Sequence, residues 1–219
     1  MPKSVTLTQR AYEVLRAEIL QGVRKPGSPL RTQELSSQLD VSMSVVREAL
    51  VRLSEQHLVS LAPNIGFRVA DVSPADLRDL VETRVDLESL ALRRSIERGD
   101  LAWEAEVLAS HHVLENTPMF REEHAGTTEE WTTAHNAFHD ALLAACGSRR
   151  LLAFTRTLRD SAELYRQIGG ALASRDRDVA LEHRELLRLA TSHRADGAVV
   201  ALANHLRRTG EAFESVALP

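Results

Sequence analysis

From Ser73 to Ser215 the sequence carries one kind of pattern only: six amphipathic stretches of helical period, each closed by a break, with no strand signal among them. The stretches run over 74–98, 101–116, 128–146, 149–168, 175–193 and 196–215. The breaks fall at Gly99-Asp100, Thr117-Pro118, Gly147-Ser148, Gly169-Gly170 and Asp196-Gly197. Helices of this length and spacing can bury their apolar stripes only against one another, so residues 72–219 are expected to form an all-α bundle of six to seven helices. Aromatics make up only 4% of the chain, so its core must be built from Leu, Ala and Val.

The first 70 residues follow another plan. Thr8 to Gln21 reads as a helix with Ala11, Val14, Leu15, Ile19 and Leu20 near helical spacing and Gly22 as its stop. After the turn Lys25-Pro26-Gly27-Ser28-Pro29, Thr32 is expected to cap a short helix ending near Leu39. Ser42 is expected to cap another, ending near Gln56, with Val46, Leu50 and Leu53 on one face. Leu58–Leu61 and Phe67–Ala70 then read as two strands around Ala62-Pro63-Asn64-Ile65-Gly66. Helix, turn, helix and hairpin in this order predict a winged helix-turn-helix over residues 1–71, and a mainly α fold for the whole chain.

Charge follows the same division. Residues 1–70 carry nine Lys/Arg against six acids, a net +3, while the remainder carries −7. The first segment is therefore the one suited to phosphate. No apolar run approaches the roughly 18–20 residues needed to cross a bilayer, and no signal-peptide core is present, so a cytoplasmic protein without membrane contact is expected. The lone Cys146 agrees with a reducing compartment.

In a helix-turn-helix the second helix enters the major groove, so its outward N-terminal residues should be small or polar. Ser42, Ser44 and Arg47 meet this requirement. Arg47 can grip a phosphate or donate twice to a guanine edge; the alternative is a surface arginine paired with Glu48 or Glu55. The region resembles the N-terminal domain of the GntR family of bacterial regulators through Ile19-Leu20-Gln21-Gly22, Pro26-Gly27-Ser28-Pro29-Leu30-Arg31, Glu34-Leu35, Val41 to Leu50 and Arg52-Leu53. The hairpin matches through Leu58-Val59, Pro63-Asn64, Gly66-Phe67 and Val69-Ala70. The resemblance implies a homodimer on a roughly palindromic double-stranded DNA operator, with Arg31, Ser42, Ser44 and Arg47 near DNA and Gly66 admitting the wing tip to the minor groove. The chain departs from the family at Met43, usually arginine, at Val45, usually proline, and at Ile65, where a basic residue is common. Fewer cations flatten the salt dependence of binding, and Met43 is expected to touch a thymine methyl instead.

His135 and His139, four residues apart, share a helix face with Leu142, Leu143 and Cys146 and are expected to point inward. Two imidazoles at this spacing can hold a metal or stand as neutral core residues. His183 and His205 lie on later helices, each flanked by Leu or Ala. Residues 74–215 resemble the FCD effector domain of the same family through Arg84 and Glu88, Phe138-His139 with Leu142, Glu182-His183-Arg184-Glu185-Leu186-Leu187 and Asn204-His205-Leu206. Metal-binding members use one Asp or Asn and three His. The resemblance places the three on His139, His183 and His205, with His135 where the carboxylate is common. Four neutral imidazoles leave a divalent charge unbalanced, so a borderline metal, zinc or else nickel, and an anionic ligand at an open position are expected.

Arg84 and Glu88 interrupt an apolar stripe formed by Leu77, Leu80, Val81 and Ala91. They form either an internal i,i+4 pair or a site in which Arg84 binds the carboxylate of a small organic acid effector. His57, His111, His112, His124 and His193 have no matching spacing and read as surface or ordinary core residues. The expected function is ligand-controlled repression of transcription. Two other classes are open at this point: a metal-dependent hydrolase with Glu182 or Glu185 as base, and an architectural DNA binder blind to ligand.

Overall fold

The computed structural model describes residues 6–62, 66–120, 127–169 and 177–215. The expected wing tip at Pro63-Asn64-Ile65, His124, Gly170 and residue 175 lie outside the described residues; the helix expected from 175 starts only at Val179, with Asp178 as its cap. Within them the chain forms nine α-helices and one two-stranded antiparallel hairpin.

Helix α1 (Leu7–Leu20) is capped by the Thr6 hydroxyl, which accepts from the Gln9 amide at 3.1 Å. Helix α2 (Thr32–Leu39) begins one residue earlier than expected: Arg31 holds the cap position, makes no side-chain cap bond, and leaves Thr32 as the first helical residue. Asp40, in the left-handed region at φ 51°, ends α2 and turns the chain into α3 (Met43–Glu55). Ser42 caps α3 by accepting from the Val45 amide at 3.4 Å. Val46, Ala49, Leu50 and Leu53 are completely buried along its inner face. Each such aliphatic side chain the size of Val or Leu contributes roughly 1.5–3 kcal/mol, enough in sum to fix the helix's rotation.

Strands β1 (Val59–Ala62) and β2 (Gly66–Val69) pair with Val59 opposite Val69 and Ala62 opposite Gly66. Gly66 adopts φ +88°, a conformation that side chains other than glycine resist, and it lets the chain reverse into β2. The Leu30 amide donates to the Phe67 carbonyl at 2.8 Å, which locks the loop after α1 onto the hairpin.

The remaining helices are α4 (Pro74–Arg98), α5 (Leu101–Glu115), α6 (Glu129–Leu143), α7 (Arg149–Gly169), α8 (Val179–Thr191) and α9 (Ala195–Ser215). Side-chain caps start four of them: Ser73, Asp100, Thr128 and Asp178 each accept from the amide three residues on. Helix α6 is shorter than its pattern suggested, because the last three residues of 128–146 tighten into a 3₁₀ turn, Ala144–Cys146, before Gly147 at φ +74°. Two hydrophobic cores result. One joins α1–α3 and the hairpin; the other joins α4–α9, with α4 against α9 and α7 at its centre.

Helix α7 also touches the first unit. Leu164 is buried in that unit's core, Asp160 pairs with Arg16 of α1, and the Tyr165 hydroxyl bonds to Asp76 and to Ser73 in the connecting segment.

Candidate metal centre and nucleic-acid interface

The outward face of α3 is polar and open. Ser42, Met43, Ser44 and Arg47 are all exposed, with Met43 at 56%. The Ser42 and Ser44 hydroxyls lie 2.8 Å apart and hold each other beside the helix N-terminus. Arg47 is not engaged by Glu48, which instead accepts from Thr8 at 3.2 Å; among the described residues its guanidinium has no partner. The alternative of an arginine tied up in a surface pair is therefore set aside. Arg31 makes an exposed pair with Glu34 at 2.9 Å, a weak contact that a phosphate can replace. Nothing lies within 4 Å of where a Cβ on Gly66 would stand, so the base of the wing is open.

In the helical unit, His135 and His139 from α6, His183 from α8 and His205 from α9 converge. Each is at most 4% exposed, and one nitrogen from each lies within 4.8 Å of the others. Burial lowers the proton affinity of all four, with nearby cations adding to the effect, so the imidazoles stand neutral and keep lone pairs for a cation. At His205 the hydrogen bond with Glu182 partly opposes this. The Nε2 atoms of His139 and His183 are buried without a hydrogen-bond partner. Buried nitrogens left in this way cost about 1–3 kcal/mol each unless something binds them, so the residues present fit a divalent cation.

The surroundings of the cluster are charged. The Glu182 carboxylate meets His205 Nδ1 at 2.8 Å and is gripped by Arg177. Burial alone would push its carboxyl up, but the bonds from His205 and Arg177 hold it down to about 2. Arg166 donates to His135 Nδ1 at 3.2 Å and lies over the Trp131 ring. Arg84 and Glu88 form the expected i,i+4 pair at 2.8 Å, both buried, with Arg159 approaching the other carboxylate oxygen at 3.9 Å.

Arg84 also lines a cavity of about 20 Å³ with Arg166, Arg177, Trp131, His135 and His205. A second cavity of about 140 Å³, also lined by Trp131, reaches His183 and His111. The first holds about one water; the second is wider and less charged.

All four predicted histidines and Arg84 are thus brought together. Arg159, Glu163, Arg166 and Arg177 were missed. The first three carry a readable signal: charged residues at helical spacing on the buried stripe of α7 with Thr155 and Ala162. Glu182 is committed to His205 and Arg177, and Glu185 to Arg188, which leaves neither as a free base. No helix among the described residues is long and apolar enough to cross a membrane.

Comparison with known proteins agrees with this fold. Residues 7–69 match the family model of bacterial regulatory proteins of the gntR family, and residues 79–208 match the FCD domain. The chain is 35% identical to the uncharacterized HTH-type transcriptional regulator BphR of Paraburkholderia xenovorans (strain LB400), over 92% of this chain and 82% of that one. It is also 35% identical to the HTH-type transcriptional repressor GlaR of Escherichia coli (strain K12), over 72% of this chain and 71% of that one. The fold matches the solved structure of E. coli McbR/YncC with a TM-score of 0.78 at 23% identity, covering 96% of this chain and 98% of that one. These relatives are regulators rather than enzymes, and the chain belongs to the GntR family of DNA-binding transcriptional regulators, in the branch that carries an FCD domain.

Proposed function

We propose that this protein is a ligand-controlled repressor, with residues 1–71 as the DNA-reading unit and 72–219 as the effector and dimerisation unit. A homodimer presents two α3 helices to a roughly palindromic operator. Arg31, Ser42, Met43, Ser44 and Arg47 face the duplex, and Gly66 admits the wing. The relative GlaR is a transcriptional repressor, and repression is carried over on that similarity. The cluster of His135, His139, His183 and His205 is the site of a divalent cation, zinc in the first place and nickel in the second, because imidazole nitrogens suit borderline metals. When bound, the cation supplies positive charge and an open position for an anion. A small organic acid binds there, its carboxylate directed by Arg84.

The observation that carries this reading is the convergence of four buried, neutral histidines beside a cavity edged by Arg84, Arg166 and Arg177. A carboxylate there meets several fixed cations in a water-poor setting, where charge-assisted bonds are strongest. The cavity holds about 20 Å³, so binding must displace its lining, which is the differential contact that ligand control requires.

The test is a map of duplex sites bound by the purified, tag-free protein, repeated with zinc and a panel of small carboxylates. Sequence-selective binding that one carboxylate weakens, and that an Arg84→Ala variant no longer releases, is expected. Selective binding indifferent to every metal and acid offered would leave a regulator without this control.

A further inference from the structure

Two histidines of the cluster are held by opposite kinds of partner. His205 Nδ1 lies 2.8 Å from Glu182 Oε2, and an ionised carboxylate only accepts, so Nδ1 carries the proton and Nε2 keeps its lone pair. Arg177 Nη2 also lies 3.3 Å from this Nδ1, but its hydrogens go to the Glu182 carboxylate and the His205 carbonyl. A carboxylate behind the ring is the arrangement that prepares a histidine to ligate a metal.

His135 has the reverse. Its Nδ1 faces Arg166 Nη1 at 3.2 Å, and a guanidinium has five donors and no acceptor. Nδ1 must therefore accept, and the proton of the neutral ring sits on Nε2. Neither nitrogen then has a lone pair to spare: one is used by Arg166 and the other is blocked by hydrogen. Arg166 is itself only 6% exposed and is held by Glu163 and by the Trp131 ring, so it is not a loose surface group that swings away freely.

We propose that the cation is held by His139, His183 and His205 alone, and that His135, set as the Nε2–H tautomer by Arg166, donates a hydrogen bond to the carboxylate that takes the open position. This rests on the metal reading of the preceding subsection and refines it. Where the family's pattern has a carboxylate ligand, this chain has a proton donor, which converts a fourth ligand into a recognition group for the anion. The partnerless Nε2 atoms of His139 and His183, together with the Nε2 that Glu182 leaves free on His205, supply the three ligand positions.

The experiment has two arms. Long-range proton–nitrogen NMR of the metal-free protein reads each tautomer directly: His135 is expected with its proton on Nε2 and His205 with its proton on Nδ1. A proton on His135 Nδ1 overturns the proposal. The second arm adds cobalt(II) alone and follows its visible bands, then adds acetate as the probe anion. His135→Gln is expected to leave the cobalt bands of the acetate-free protein unchanged and to weaken acetate about tenfold, whereas His139→Ala abolishes or reshapes the bands. Arg166→Met, which releases His135 to ligate, is expected to shift the bands toward an added nitrogen ligand and to weaken acetate. Bands in His135→Gln altered as in His139→Ala would sink the three-histidine assignment while leaving metal binding intact. Failure of the wild-type protein to take up cobalt or zinc would instead remove the metal reading itself, and this proposal with it.

Discussion

Replacing Glu88 by glutamine keeps the shape of the side chain and removes its charge, leaving Arg84 buried at 3% exposure with Arg159 nearby. Two unit charges about 4 Å apart at an effective dielectric constant near 20 attract by about 4 kcal/mol. That agrees with the roughly 3–5 kcal/mol lost when one partner of a buried pair is removed. At about 2–4 °C per kcal/mol for a chain of this size, the helical unit should melt about 10 °C lower. Differential scanning calorimetry, with urea unfolding followed by circular dichroism, measures the loss. Because the chain has two cores, the transition of the helical unit must be fitted separately. Glu214→Gln is the control: its pair with Arg78 is largely exposed, and such changes shift stability by less than about 1 kcal/mol. The double variant Arg84→Met, Glu88→Leu should recover most of the loss, since apolar side chains of similar volume replace buried ion pairs at little cost. A Glu88→Gln protein as stable as the Glu214→Gln control would refute the claim that this pair lies in a water-poor interior.

Three further outcomes are expected. Arg47→Ala should weaken operator binding at least tenfold with unchanged melting; if Arg47 grips phosphate, the log–log salt slope also falls by about one, as fluorescence anisotropy across a salt series will show. Met43→Ala should change the preferred base at one operator position in a selection experiment, and an unchanged preference would dismiss the thymine contact. The metal-free protein should lose stability as pH falls below 6.5. The four buried histidines bind protons less readily folded than unfolded, so their contribution is complete above 6.5 and shrinks below it. Glu182, held near 2, adds a loss that begins below 4.5. A flat urea midpoint between pH 7 and 5 would show that the cluster is hydrated.

The reading of the sequence succeeded where the signal was local. Ser42 followed by Val46, Leu50 and Leu53 marks a cap and a face within a dozen residues, and His135 with His139 marks an inward pair one turn apart. The partners of these residues were not legible, because they arrive from distant segments. Arg166 is 31 residues beyond His135, and no periodicity in α6 announces that a cation will sit behind it. The misplaced cap at Thr32 has a smaller cause. Threonine is a favoured cap by propensity, yet the link between Leu30 and Phe67 draws the preceding chain to the hairpin and starts the helix with Arg31 at the cap position. Arg84 shows the limit of choosing between alternatives: it is both paired with Glu88 and at the wall of the cavity.

Between Asp160 and Arg166 one stiff rod of less than two turns meets both halves of the molecule. Asp160, Leu164 and Tyr165 hold the DNA-reading unit and its tether, and the next residue along, Arg166, abuts His135. At 1.5 Å of rise per residue these points span about 9 Å. The guanidinium beside His135 and the contacts to the first unit therefore lie on one short helical segment, with the rest of the bundle not between them. Under the proposed ligand control, substitutions at Asp160 should loosen the link between the two units while sparing both the grip on DNA and the binding of ligand, whereas Arg166, which holds His135, touches the ligand site itself.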